Sequence, residues 1–510
     1  MILTDLLDAF WEYERALMQN DLETLDRLFL DSPETLRGDA NGILIGHEAI
    51  STFRQGRGGA PKREILAVEV REISPDAALV IAITQPLTGG RGQQTQLWRR
   101  VFSGPADAGA WVVEAAHVSL PAPAIAPSVW RTVGSPLVAG ASVGSLRGQT
   151  VAVKDLYAVA GHRIGGGVPR FLAEAEPQVA NAAALQLLLD AGADATGIAQ
   201  TDEFAYSVAG KNPHYGTPPN PAVVGAIPGG SSSGPVSAVA LGQASIGLST
   251  DTGGSIRVPA SYCGLWGLRT THGAVPVAGL LPLAPSFDTA GWITRDAATL
   301  AAVAKVSIGE QRGASAQFVI APALLENAEP AVRSAFEDYV GDRFATTEIE
   351  LPSVDWLFET FRTIQAAEAW ATHGAWIVAH PGALGDDIAA RFAFASSITR
   401  GQEDAARGKW EAARAAIDEA VGDRILLLPS ASSIAPSTTA DAAAIERTRA
   451  GTLRLTCIAG LSGRPALSAP VLGVARASNP LPAPVGLCFV GPRFADVALI
   501  DFAQQATSVG

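Results

Sequence analysis

Residues 228–259 constrain this chain more than any other stretch. Two Gly/Ser loops, PGGSSSG and STDTGGSIRVP, enclose a run of small residues predicted to be helical over 235–243. A helix of Ala, Ser and Val projects little from its axis, so it can pack closely on a sheet. Gly253 and Gly254 allow a sharp turn that aims successive backbone N–H groups into one small volume, with Ser255 next in line. Taken alone, PGGSSSG reads as a flexible loop or an anion nest. The Ala/Gly/Pro-rich texture from residue 146 onward predicts an α/β domain, a mixed central sheet flanked by helices. Its apolar strand TVAVKDL carries Lys154 at its end; helices are expected at 177–192, 328–344, 355–380, 384–395 and 402–421, and a strand at RILLLPS.

Residues 1–120 are charge-rich and differently patterned. Leu6, Phe10, Tyr13 and Leu17 recur at helical spacing and form one apolar stripe. Asn20 with Glu23 reads as the capping box of a helix over 21–30, and a third helix is expected at 47–55. Strands follow at 62–73, with Leu66, Val68 and Val70 on one face, then at 77–86, 93–103 and 110–120. Helices followed by a curled antiparallel sheet make an α+β cone. Between the two regimes, 121–145 holds four prolines and little charge, which predicts an extended interdomain linker. The domains expected are therefore 1–120 and 146–510. At roughly 150 residues per domain, one small and one large domain fit the length.

Composition removes several classes of function. The 37 Lys+Arg against 50 Asp+Glu give a net charge of −13, opposite to what a phosphate-binding surface needs. Charged residues at 17% and apolar ones at 48% describe a core-rich globular chain. Cys263, Cys457 and Cys488 form no CxxC pair, which excludes a disulfide scaffold and a thiolate zinc site. Asp5 and Asp8 stand where a signal peptide needs Lys or Arg, and no apolar run approaches the ~18–20 residues that span a bilayer. The expectation is a cytoplasmic protein with neither membrane nor nucleic-acid partner. HEAIS at His47 lacks the second His of a zincin, and SVAGK at Lys211 lacks the first Gly and the Ser/Thr of a P-loop. Trp356, Trp370 and Trp376 are expected to fill core, with the alternative that one of them faces the pocket.

Lys154, Ser231 and Ser255 together make a hydrolytic set. Ser255 supplies a nucleophilic oxygen, and the N–H groups of Thr252, Gly253, Gly254 and Ser255 can line an oxyanion hole. Losing one such donor costs about 3–4 kcal/mol of transition-state stabilisation. No His lies in either loop, and His214 and His272 lack an evident acidic neighbour in the sequence. A lysine at a strand end either snorkels or is buried. Buried, it can lose its charge near neutral pH and act as a base, with Ser231 passing the proton between it and Ser255.

AVKD around Lys154, TDEFAY at 201–206, GGSSSG, and TDTGGSIRVPASYCGLWGLRTT at 250–271 resemble the amidase signature family, closely over about 146–300 and loosely beyond. The resemblance implies that Lys154 is the general base, Ser231 the bridging serine after a cis peptide bond, and Ser255 the acyl-enzyme nucleophile. It implies that Ser232 and Asp251 support the lysine and the oxyanion loop, that Arg257 is structural, and that Ala205 and Tyr206 line the acyl pocket. No metal or organic cofactor is implied, and an alkaline optimum is expected. One departure is HRIGGG at 162–167, where the family often has a Thr-rich element; it removes side chains near the expected pocket mouth.

The first 120 residues are similar to the SnoaL-like cone fold, in its AtzH-like subgroup, through FWEYERALMQNDLETLDRLF, SPETLRG and WVVEAAHVSL. That subgroup implies a possible second site at Tyr13 and Arg37. The residues themselves leave open a structural reading, Tyr13 in the helix stripe and Arg37 paired with Glu34 or Asp39. The fusion implies an amidohydrolase acting on a small nitrogen-rich or ureido amide such as biuret or allophanate, as a homodimer. The alternatives are a broad aliphatic or aryl amidase whose first domain only packs or dimerises, and a non-enzymatic scaffold, which would have no use for the intact Lys154, Ser231 and Ser255.

Overall fold

The computed structural model describes residues 2–39, 42–57, 59–60, 62–86, 92–104, 107, 109–119, 125–476 and 479–508. The chain divides into two compact units, one ending at Ala126 and the other starting at Pro127.

In the first unit, helix α1 (Ile2–Gln19) buries Leu6, Phe10, Tyr13 and Leu17, as its stripe requires. Helix α2 (Leu22–Arg27) is capped by Asp21, whose carboxylate accepts from the Thr24 N–H, so Asn20 is not the cap and the helix is shorter than its expected span. Helix α3 covers His47–Arg57. The sheet comprises β1 (Leu36–Asp39), β2 (Gly42–Ile45), β3 (Arg63–Ser74), β4 (Ala77–Pro86), β5 (Gly92–Val101) and β6 (Ala110–Ser119), in the order β2-β1-β6-β5-β4-β3. Strands β1 and β2 escaped the sequence reading because four residues are too few to establish an alternating period. A register irregularity between Ile65 and Ala67 turns Ile65 inward with Val68 and Val70 and leaves Leu66 45% exposed, correcting the expected face. Tyr13 is buried between Phe29 and Trp98. Arg37 bonds Asp39 at 2.7 Å and lies over the Phe53 ring, so the packing reading describes what both residues do here.

The second unit is built on an eleven-stranded mixed sheet with an apolar core on each face. Its strands are β7 (Trp130–Val138), β8 (Thr150–Lys154), β9 (Asp194–Ala199), β10 (Ile246–Asp251), β11 (Trp266–Arg269), β12 (Thr289–Thr294), β13 (Phe318–Ile320), β14 (Thr346–Glu348), β15 (Ile425–Pro429), β16 (Ala466–Arg476) and β17 (Asn479–Val490). They lie in the order β14-β13-β15-β17-β16-β11-β12-β10-β8-β9-β7. Much of the segment expected to be a free linker is thus sheet: β7 pairs antiparallel with β9 as an edge strand. Its Pro136 follows a cis bond and falls at a gap in the pairing, the place an edge strand tolerates proline. Residues 121–124 of that segment lie outside the described residues. Helix 177–192 is also shorter than expected, Ala183–Asp190.

Three neighbouring strands, β9, β8 and β10, run parallel, so their carboxyl ends open on one side of the sheet. Crevices at the carboxyl ends of parallel strands are the usual ligand sites of α/β sheets. Lys154 ends β8, Thr201 and Asp202 follow β9, and Thr250 and Asp251 end β10. The small-residue helix, Ser233–Ala240, is buried along its length. A Cβ on Gly234 would meet Gln200 backbone at 2.5 Å, so only glycine allows this approach to β9.

Candidate active site

Lys154 is fully buried, and its Nζ lies 2.8 Å from Ser231 Oγ, 3.0 Å from Ser232 Oγ and 2.7 Å from Thr250 Oγ1. Of the two readings the sequence left open, burial is the one observed. Removal from water pulls the lysine down to about 7, only partly countered by the charges of Asp202, Asp251 and Asp288. A neutral amine has two hydrogens and one lone pair, so of three hydroxyl neighbours at most two can accept. Ser232 already donates to the Thr250 carbonyl at 3.3 Å and must accept from the lysine. With Thr250 also accepting, the lone pair is left for the Ser231 hydroxyl.

The Ser231 loop is held from behind by the segment after β9. The Gly230–Ser231 peptide is cis. The Ser231 carbonyl accepts from Thr201 Oγ1 at 2.8 Å, and Asp202 accepts from Ser233 Oγ and the Gly210 N–H. A Cβ on Gly230 would lie 2.4 Å from Asp202 Oδ2, which explains the second glycine of GGSSSG.

The Ser255 loop is organised around Asp251. This buried carboxylate accepts from Gly254 N at 2.9 Å, Ile256 N at 3.1 Å, Arg257 Nε and Nη2 at 3.0 and 2.8 Å, and Arg269 Nη1 at 3.2 Å. Burial alone would raise its pKa, but the charge and hydrogen bonds of Arg257, with Arg269, outweigh that and hold it well below the usual carboxylate range. The Gly254 N–H, expected among the oxyanion donors, is therefore engaged by Asp251. The N–H groups of Thr252, Gly253 and Ser255 make no hydrogen bond among the described residues and are free to donate. Thr252 Oγ1 donates to Asp288, and Thr456 Oγ1 to the Gly253 carbonyl, which fixes the turn on both sides.

Ser255 lines a small cavity together with Ala205, Tyr206, Thr252, Gly253, Gln365 and Arg449. Its hydroxyl has no hydrogen-bond partner among the described residues, so Ser231 is joined to Lys154 but not to Ser255. Phe204 and Ala205 hold left-handed backbone, φ 46° and 59°, unusual for residues with a Cβ and a mark of local strain beside the cavity. The Phe204 ring stacks on His373 at 4.3 Å.

Other expected features fall elsewhere. His214 has an acidic partner after all, Glu203 at 2.9 Å, but neither residue lines this cavity. The glycines of 162–167 serve close packing, Gly167 against the Thr201 carbonyl and Gly165 against Asp155, and do not line it. Trp356, Trp370 and Trp376 pack against the second apolar core. Thr250, Arg269, Gln365 and Arg449 were not singled out from sequence. Thr250 stands inside the quoted TDTGG motif, but Gln365 and Arg449 come from helices far along the chain with no local signal. Among the described residues no group of His, Cys, Asp or Glu could hold a metal ion, and no helix is long and apolar enough to cross a membrane.

Comparison with known proteins agrees with these two units. The Amidase family profile matches residues 134–338, and the AtzH-like profile matches 1–123. "Amidase 1" of Arabidopsis thaliana is 35% identical over 66% of this chain and 88% of its own length. "Amidase 1" of Oryza sativa subsp. japonica is 36% identical over 71% and 90%. A solved structure from a vestigial protein complex, described as revealing the evolutionary origins of an s-triazine catabolic enzyme, superposes with a TM-score of 0.67 at 25% identity, covering 72% of this chain and 86% of the other.

Proposed function

The chain belongs to the amidase family, and from that premise we propose that it cleaves a linear carboxamide C–N bond through an acyl-enzyme on Ser255, with Lys154 as base and Ser231 as relay. The observation that carries this is a desolvated lysine in contact with the Ser231 hydroxyl. Because Ser231 directs its proton at the lysine lone pair, its oxygen lone pairs are free to take the Ser255 proton. Ser255 Oγ then bonds the carbonyl carbon, and the charge moves to the oxygen, stabilised by the Thr252, Gly253 and Ser255 N–H groups. The relay runs backward to protonate the leaving nitrogen as the C–N bond breaks. Water, deprotonated along the same path, attacks the acyl-enzyme and releases the carboxylic acid.

The substrate we propose is a small nitrogen-rich or ureido amide of the biuret or allophanate kind. Support comes from the AtzH-like unit and from the likeness to a protein connected with s-triazine catabolism. The same reading takes the working form to be a cytoplasmic homodimer and keeps Tyr13 and Arg37 as a possible second site. A serine-directed fluorophosphonate is expected to label the protein and to spare Ser255→Ala; labelling that persists in the variant removes Ser255 as nucleophile. Ammonia release from biuret, allophanate, acetamide and benzamide then separates this substrate class from a broad aliphatic or aryl amidase.

A further inference from the structure

Gln365 stands out among the residues around Ser255. It is 6% exposed, yet its amide makes no hydrogen bond among the described residues. The amide opens onto the cavity beside Ser255, where it is free to bond a ligand. Its Nε2 lies 3.5 Å from where a Cβ of Gly253 would sit, placing a free donor over the loop that turns into Ser255. Gln365 projects from the helix Val354–Ala379, and across the cavity Arg449 projects from Ala442–Ser462.

Arg449 uses Nη1 to reach Glu446 at 2.9 Å, and its other N–H groups have no partner among the described residues. Burial pulls it down to about 10, which leaves it cationic at neutral pH. Arg391, 3.6 Å from the same Glu446, and Arg362 stand near enough to Tyr206 to act on its hydroxyl. The carboxylates paired with these three arginines, Glu446, Asp387 and Glu359, are each more than half exposed, whereas Arg449 and Arg391 are nearly buried. Water screens the negative partners more than the positive ones, so the cavity wall keeps a cationic character.

We propose that Gln365 and Arg449 form the acyl-side subsite and select an amide whose acyl half ends in a carboxylate. Arg449 supplies charge-assisted N–H donors to the carboxylate. Gln365, whose Nε2 is free, donates a second hydrogen bond to the same carboxylate. The inference rests on Ser255 as the nucleophile and narrows the substrate to its anionic members.

The test compares malonamate and succinamate with their neutral isosteres, isovaleramide and 4-methylpentanamide, on the full chain. The wild type is expected to favour the acids by about 30-fold or more in kcat/KM. Arg449→Met raises KM for the acids by a similar factor and for the neutral amides by far less; Arg449→Lys retains part of the preference, and Gln365→Leu loses about tenfold on the acids. Removing Arg449 leaves Glu446 in water, so the variant has no buried charge to unfold it. Protection of Ser255 from the fluorophosphonate by each compound reads the same selectivity without turnover. Equal or better use of the neutral amides, or equal losses on both in Arg449→Met, overturns the proposal, as does labelling that neither acid slows. A protein whose Ser255 is never labelled fails the earlier reading instead.

Discussion

Lys154→Met is expected to lower amide hydrolysis on the order of 10⁴- to 10⁶-fold, the range for losing a member of a catalytic set that acts as a unit. Met matches the lysine stem in length and has no proton to exchange, so folding should survive. The wild-type pH profile carries the same information. With the lysine near 7, its neutral, working form accumulates as pH rises, so kcat/KM should climb about tenfold per pH unit below 7 and level off above it. A flat profile between pH 5 and 9 would rule out a lysine base. Stability gives a second readout. The folded lysine titrates near 7 and the unfolded one in the ordinary lysine range, so between them the unfolded chain holds the extra proton. The wild type should therefore gain stability as pH rises from about 7 to 10. Lys154→Met should lack that rise, measured as the unfolding midpoint against pH.

Asp251→Asn should be the most destabilising single change at the site. One carboxylate there neutralises two buried guanidinium groups, Arg257 and Arg269, and receives three backbone N–H groups. Removing one partner of a buried ion pair costs about 3–5 kcal/mol, because the remaining charge is left uncompensated away from water. The neutral amide also turns two of its hydrogens toward groups that are themselves donors. Denaturant unfolding of the larger unit should show a midpoint lowered accordingly. Preservation of that midpoint would mean that the two arginines find other acceptors.

The two serine loops were legible in the sequence because their chemistry is local. Gly230 and Gly254 sit where a Cβ or the ordinary backbone cannot, and Ser231, Ser232, Asp251 and Ser255 lie within a few residues of them. Lys154 was found as a charge on an apolar strand, though only the fold decides that it is buried. What stayed hidden depends on distance along the chain. Gln365 and Arg449 arrive from two helices, of which the sequence reading expected only the first, at 355–380. Whether the Gly254 N–H faces the cavity or the Asp251 carboxylate is settled by side-chain geometry inside one turn. Proline content misled at 130–138, where an edge strand accommodates Pro136 as readily as a linker does.

That edge strand determines where the larger unit can be cut. A fragment beginning at residue 146 would uncover the row of N–H and C=O groups along β9, a template for pairing with a second molecule. It would also take away Arg131, which stands 3.1 Å from the buried Asp155, the residue immediately after the lysine. A fragment beginning at Pro127 keeps both safeguards. Light scattering should find the shorter piece aggregating and the longer one remaining dispersed.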